Sequence, residues 1–355
     1  MSRSVPPGRP VLSKSGIRWA IDRAIGFLCR QIGSGRYGLS CFGSDDTPRV
    51  SHDRGHVFTG FFVAEALGDL ITEQDRATLL ARILLEETDG VWGYSPPGPL
   101  ARAKQSPFIV DADDTAYAMR TLRRLGVERS TLGLMRFHRP EAGCFSTFDV
   151  KVEPRLVVEA CLEHNLMAHP EVNANVFIAL LGTNAERFIN FNLVRMAQAN
   201  DGHWPSYFYP GPLFATYLFL DLIRNLEEFA DARRKGIGFL LRSQNADGSW
   251  GRPADVYDTA LAVNGLVVSG EFGQPLVRGV NFLLKEMADD GSWHSGRCIW
   301  EFHAAEQDVW KASDAHGAFA SALCTMALRR CSNVWDCASI EPAIVLAQDA
   351  GEDKV

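Results

Sequence analysis

The sequence lacks the marks of several large protein classes. It has no run of 18 uncharged apolar residues, so no segment is expected to span a membrane. The opening residues, MSRSVPPGRPVLSKSG, hold no apolar core of a secretory signal. There is no Lys/Arg block, and the net charge is −7, which argues against a nucleic-acid partner. The eight cysteines form no Cys-x-x-Cys pair, so they suit reduced thiols in a cytoplasmic protein better than a disulfide or zinc framework. No Pro/Gly/Ser-rich linker divides the 355 residues. One domain over 1–355 is therefore expected, with 1–14 disordered, an insertion at 149–170, and a tail at 332–355 carrying one short helix near 340–349.

What is present is a repeat, the feature that most changes a fold assignment. Six segments carry Gly in the fifth place and an aromatic two residues later: QIGSGRY (31–37), EETDGVW (86–92), RPEAGCF (139–145), QANDGHW (198–204), QNADGSW (244–250) and MADDGSW (287–293). Before most copies lies an amphipathic stretch, such as 16–31 or 229–244, with apolar residues at i, i+3, i+4 and i+7. After each copy comes a more apolar helix, at 58–67, 114–122, 173–181, 213–222, 258–267 and 316–328. These align on Gly60, Ala116, Ala174, Ala215, Ala260 and Ala318. The unit is an outer helix, a glycine turn and an inner helix. Hairpins that cannot bury their faces alone close on each other. The expectation is an all-α fold, an (α/α)6 barrel of six helical hairpins. In each turn the Gln amide is expected to bond carbonyls at the outer-helix C-terminus, with the Trp stacked on them.

The stretch FIVDADDTAYAM (108–119) crowds three carboxylates before an inner helix. The repeat offers an internal comparison. Asp111-Ala-Asp-Asp114-Thr-Ala116 matches Asp255-Val-Tyr-Asp258-Thr-Ala260, so Asp111 and Asp114 have a capping explanation as well as a functional one. Asp113 has no such explanation, because Tyr257 is its counterpart, and Val57, Glu171, Pro212 and Ala315 align elsewhere.

The repeated Gln-x3-Gly-x-Trp, at Gln198–Trp204 and Gln244–Trp250, resembles the QW motif of squalene–hopene cyclases, oxidosqualene cyclases and their relatives. Asp111-Ala-Asp-Asp-Thr-Ala116 is similar to the DxDD motif of class II, proton-initiated terpene cyclases. Through the repeats the resemblance covers nearly the whole chain, and it implies the same (α/α)6 barrel. It further implies that a linear isoprenoid is protonated and cyclised through a carbocation. Asp113 would be the general acid, with Asp111 and Asp114 hydrogen-bonding to it and holding it protonated, as burial and like charge do. Relatives usually pair two barrels. With one, the open alternatives are cyclisation inside a single barrel, a homodimer or partner subunit, and a barrel that holds a prenyl chain or protein without chemistry. Protein prenyltransferase β subunits share the barrel and bind zinc. Their Asp-x-Cys and His ligands correspond to Asp258, Ala260 and His316, a set without the thiolate, so no metal site is expected.

A carbocation needs aromatic faces rather than nucleophiles. Candidates near the inner-helix starts are Phe58, Phe61, Phe62, Tyr207, Tyr209, Phe214, Tyr257, Trp300, Phe302 and Trp310, with core packing as the alternative. His316 aligns with Asp114 and is a candidate to bond the acids or accept the final proton, or else a structural His. His52, Asp53 and His56 are rim residues, Glu301 and His303 fall in a stretch able to act as a lid, and Arg102 and Lys104 are placed to meet a phosphate. No DDxxD lies on an inner helix, so a diphosphate would be carried unreacted, and only such a substrate would bring Mg2+. A single barrel suggests a C15 to C20 chain. Such a substrate implies peripheral membrane contact without an anchor.

Overall fold

The computed structural model describes residues 12–42, 56–93, 110–148, 168–305 and 308–336. His52, Asp53, Arg102, Lys104, residues 149–167 of the expected insertion and the tail beyond 336 lie outside the described residues, as do the side chains of His56, Phe302, His303 and Trp310. The helices are α1 (Lys14–Ser34), α2 (His56–Leu67), α3 (Glu73–Leu85), α4 (Ala112–Arg124), α5 (Leu132–Met135), α6 (Pro170–Leu180), α7 (Asn192–Met196), α8 (Leu213–Ile223), α9 (Ala230–Ser243), α10 (Val256–Val268), α11 (Gln274–Glu286) and α12 (Ala318–Asp336).

Burial divides the helices into two kinds. Every residue of α8 is buried, and every residue of α10 but its last. In contrast, α11 buries the stripe Leu276, Val277, Gly279, Val280, Leu283 and Leu284, as a helix with one wet face does. The buried helices touch in order: α2 packs on α4, α4 on α6, α6 on α8, α8 on α10, α10 on α12, and α12 on α2. Outer helices sit against them, α3 on α2, α9 on α8 and α10, α11 on α10 and α12, and α1 on α12. Before the third and fourth turns the outer layer shrinks to the short helices α5 and α7, since neither segment carries a long apolar stripe.

The stretch expected to be a lid forms an antiparallel β-hairpin, β6 (Cys298–Ala305) and β7 (Asp308–Ser313), and β1 (Ser40–Phe42) adds to β7. Its Trp, Phe, Ile and Val residues are strand formers. Between β1 and β6 in the chain lie four two-residue pairing segments: β2 (Trp92–Gly93) with β3 (Val110–Asp111), and β4 (His138–Arg139) with β5 (Cys144–Phe145).

The same hydrogen bonds recur at four of the turns. The indoles of Trp92, Trp204, Trp250 and Trp293 donate to the carbonyls of Ile83, Val194, Leu240 and Leu283, each in the last turn of the preceding outer helix. Tryptophan thus takes the task expected of glutamine. The Gln198 and Gln244 amides instead tie their turns to the next outer segment, donating to Gly202 and Ala232 carbonyls and to Gly248 and Pro275 carbonyls. The turn glycine is required for two reasons. Gly202 has φ +100°, and a Cβ there would lie 2.2 Å from the Lys235 carbonyl oxygen of α9. Gly202→Ala should therefore destabilise by on the order of 3 kcal/mol in denaturant unfolding. Gly182→Ala should cost only about 1 kcal/mol, because Gly182 is left-handed with nothing within 4 Å of its Cβ position.

Candidate active site

The start of α4 is held from both sides. Asp111 is its N-cap, with extended backbone and Oδ1 accepting the Asp114 N–H at 2.7 Å. Thr115 Oγ1 donates to the Asp111 carbonyl and accepts the Trp92 N–H at 3.0 Å. Thr216, Thr259 and Ser321 accept the N–H of Trp204, Trp250 and Trp293 in the same way, and Asn173 accepts that of Phe145. Thr115 is therefore scaffold.

These bonds fix the register of the inner helices. Two residues before each hydrogen-bonding position stand Asp113, Glu171, Phe214, Tyr257 and Phe319. The sequence alignment is right for Glu171 and Tyr257. It is displaced by two residues on α8, where Phe214 replaces Pro212, and by four on α12, where Phe319 replaces Ala315. His316 accordingly does not stand level with Asp114. It lies in the turn before α12, where Asp314 rather than His316 accepts the Ala320 N–H. The small residues used for alignment are too common in buried helices to hold register.

Asp113 stands in the first turn of α4 and, unlike Asp111 and Asp114, is only partly buried. Its carboxyl takes its hydrogen bonds from two neutral donors. Tyr209 Oη donates to Oδ2 at 2.9 Å, and Asn175 Nδ2 donates to Oδ1 at 2.8 Å. The orientation of the Asn175 amide is set behind it, since Arg120 Nη1 donates to Asn175 Oδ1 at 2.6 Å. A guanidinium has only donors, so the amide must turn its NH2 toward Asp113. The expected bonding of Asp113 by Asp111 and Asp114 is corrected for the carboxyl: Asp111 meets only the Asp113 backbone amide, the Asp111 and Asp114 side chains face each other at the cap, and α6 and the loop before α8 supply the bonds to the carboxyl.

Burial is the leading cause of every shift in this group. It pushes Asp113 up to about 6, against the pull of Asn175, Tyr209 and Arg120. Asp111 rises through burial and then the Asp113 charge, to about 7. Asp114 is held well above the carboxyl range by burial, the Asp111 and Asp113 charges and a hydrogen bond to Asp111, and its Oδ1 has no hydrogen-bond partner among the described residues. In an unfolded chain carboxyls titrate near 4. From about pH 4 to 6 the native state therefore binds the extra proton on Asp113, and stability falls as pH rises through that window. Thermal unfolding of Asp113→Asn should accordingly show a Tm advantage over the parent that grows from pH 4 to 7.5 and is smallest at the acid end.

Aromatic rings gather beside the acid. Tyr209 stacks on Phe214 at 3.7 Å, Phe62 meets Phe214 at 6.3 Å and Phe319 at 4.6 Å, and Phe319 meets Phe58 at 5.5 Å and Tyr257 at 6.0 Å. Phe61 joins through Tyr117 at 6.1 Å. Tyr207 belongs to a different group, stacked on His169 at 4.2 Å, and Trp300 is buried on β6. Deeper along the helices a narrow pocket is lined by Phe61, Phe62, Glu65, Tyr117, Arg120 and Tyr217, among others. Asp258 is engaged by the Arg297 guanidinium, which covers the carboxylate that the zinc reading would need.

No protein-family model matches the chain, and no curated protein matches its sequence. Solved structures do match. The type II terpene cyclase MstE from Scytonema, without ligand, superposes with a TM-score of 0.71 at 16% identity, over 90% of this chain and 99% of its own. Variants of MstE in complex with geranylgeranyl dihydroxybenzoate as substrate and with merosterolic acid A as product match at 0.70 and 0.69, with the same identity and 98% of their chains covered. This chain has the type II terpene cyclase fold. It also matches ent-copalyl diphosphate synthase from Streptomyces platensis with a TM-score of 0.58 at 22% identity, over 77% of this chain and 50% of that one.

Within the type II terpene cyclase fold, the residues that bond Asp113, or that support or neighbour those residues, are only half legible in sequence. Tyr209 was among the aromatic candidates. Asn175, Arg120 and Phe319 were not, and Glu171 stood in the alignment without a role. Asn175 carried one signal: a second amide, two residues after Asn173, inside a helix otherwise apolar enough to be buried. Among the described residues no helix is long and apolar enough to cross a membrane, and no three His, Cys, Asp or Glu side chains form a group able to hold a metal ion.

Proposed function

We propose that the protein is a class II terpene cyclase, an isomerase that protonates and cyclises a linear isoprenoid through a carbocation. Its architecture would be the single (α/α)6 barrel of six hairpins, acting without a resident metal. Asp113 is the general acid. The observation that carries the reading is the Asp113 carboxyl at the start of α4, bonded by two neutral donors and flanked by aromatic rings. Burial raises the acid to about 6, so a fraction of it stays protonated near neutral pH, while Tyr209 and Asn175 stabilise the carboxylate left behind, which favours release of the proton. Each carboxyl oxygen accepts one bond from these neutral donors, neither of which carries a charge that would hold the acid ionised.

The cation then meets Phe58, Phe62, Phe214, Tyr257 and Phe319, whose faces stabilise positive charge without supplying a nucleophile. Phe61 and Tyr117 extend the wall. The geranylgeranyl chain bound by the MstE variant supports a C20 isoprenoid with an unreacted head group, within the C15 to C20 range. The rings must part by rotamer changes to admit it. The test is to incubate purified protein with farnesyl, geranylgeranyl and squalene-type substrates and to look for cyclic products by mass spectrometry. Cyclic products of unchanged elemental composition, or of that composition plus water, support the reading; the absence of any product contradicts it.

A further inference from the structure

We propose that Glu171 is a positioning residue for proton transfer, fixing the loop that delivers the Tyr209 hydroxyl to Asp113. The inference rests on the cyclase reading and deepens it. Residues 205–212, PSYFYPGP, form no helix or strand, and three of the eight are prolines without an N–H. Such a loop has no ladder to set its position. Glu171, fully buried in the first turn of α6, supplies the fixed point. Its Oε1 accepts the backbone N–H of Tyr207 at 2.7 Å and that of Phe208 at 2.8 Å. On the other side of that peptide the Phe208 carbonyl accepts the Glu301 N–H of β6 at 2.7 Å. The next residue is Tyr209, whose hydroxyl reaches Asp113.

A simple structural role for Glu171 is to complement the positive end of α6. That role needs neither full burial nor a carboxylate turned onto two consecutive N–H groups of a separate loop. The same helix carries Asn175, so α6 governs both hydrogen bonds to Asp113, one directly and one through the loop. Burial raises Glu171 to about 7 against the pull of the Phe208 and Tyr207 amides, and Oε1 can accept whether or not the group is ionised. A glutamine carbonyl can do the same.

The test combines kinetics with hydrogen exchange. In single-turnover and steady-state assays, Glu171→Ala should lower kcat about as much as Tyr209→Phe, roughly 10- to 100-fold, with little change in KM. Glu171→Gln should restore kcat to within about threefold of the parent. The double variant Glu171→Ala/Tyr209→Phe should be no worse than Tyr209→Phe, since residues acting through one contact are non-additive. Additive losses, or failure of Glu171→Gln to rescue, would overturn the proposal. Amide exchange separates this from the cyclase reading, because it needs no turnover. The peptide spanning 207–209 should lose protection in Glu171→Ala and keep it in Glu171→Gln. Unchanged exchange in both variants would overturn the clamp even if the protein cyclises. Lost protection without cyclisation by the parent would sustain the clamp and sink only the reaction.

Discussion

Asp113→Asn should abolish cyclisation, lowering kcat by about 10³-fold or more, while the protein stays folded. The amide is nearly isosteric with the acid and sits between the same two neighbours, but it cannot give up a proton to an alkene. The neighbouring carboxyls that the structure describes are otherwise engaged. Asp111 is spent on capping α4, and Asp114 is buried behind the cap with its carboxyl turned to Asp111. Glu171 is fully buried and directed at loop amides. Kinetics on the variant, with its near-ultraviolet circular dichroism as the folding control, check the result. Activity within tenfold of the parent would contradict the assignment of Asp113.

Asn175→Ala should lower kcat by about 10²-fold through a change in charge environment rather than lost packing. Asn175 stands between Arg120 and Asp113, accepting from the one and donating to the other. Without it Arg120 loses its acceptor, and the guanidinium is free to approach the acid seven residues away on the same helix. A cation at contact lowers a carboxyl by roughly one to three pH units, leaving about 10- to 1,000-fold less of the protonated form at neutral pH. The limb of the pH–kcat profile assigned to Asp113 should move to lower pH. Removing the cation as well, in Asn175→Ala/Arg120→Met, should recover part of the loss. A further loss in the double variant would show that Arg120 acts in some other way.

The helical repeat was legible because its signals are local: a glycine that tolerates positive φ and an aromatic at a fixed offset recur in the chain itself. Most of the inner helices were legible because they are apolar nearly all round, α4 with its arginine face being an exception. The candidate acid stands out where the repeat is broken, since Asp113 stands where α10 has Tyr257. Its surroundings were harder to see because they depend on register between helices far apart in sequence. Phe319 was missed because alignment on small residues slid α12 by one turn. Asn175 and Arg120 were missed because each is an ordinary residue whose role comes only from lying between two others. The β-hairpin at 298–313 departs from the all-helical expectation: β6 and β7 pair locally, and only the third strand, β1, lies more than 250 residues earlier.

The central claim is that a proton from Asp113 starts the reaction, and solvent-isotope labelling tests it most directly. Protein equilibrated in D2O should transfer one carbon-bound deuterium to each product molecule, on the ring methylene beside the gem-dimethyl carbon. Any diphosphate head group should remain attached. A cyclic product without carbon-bound deuterium, or one formed with release of pyrophosphate, would contradict the account.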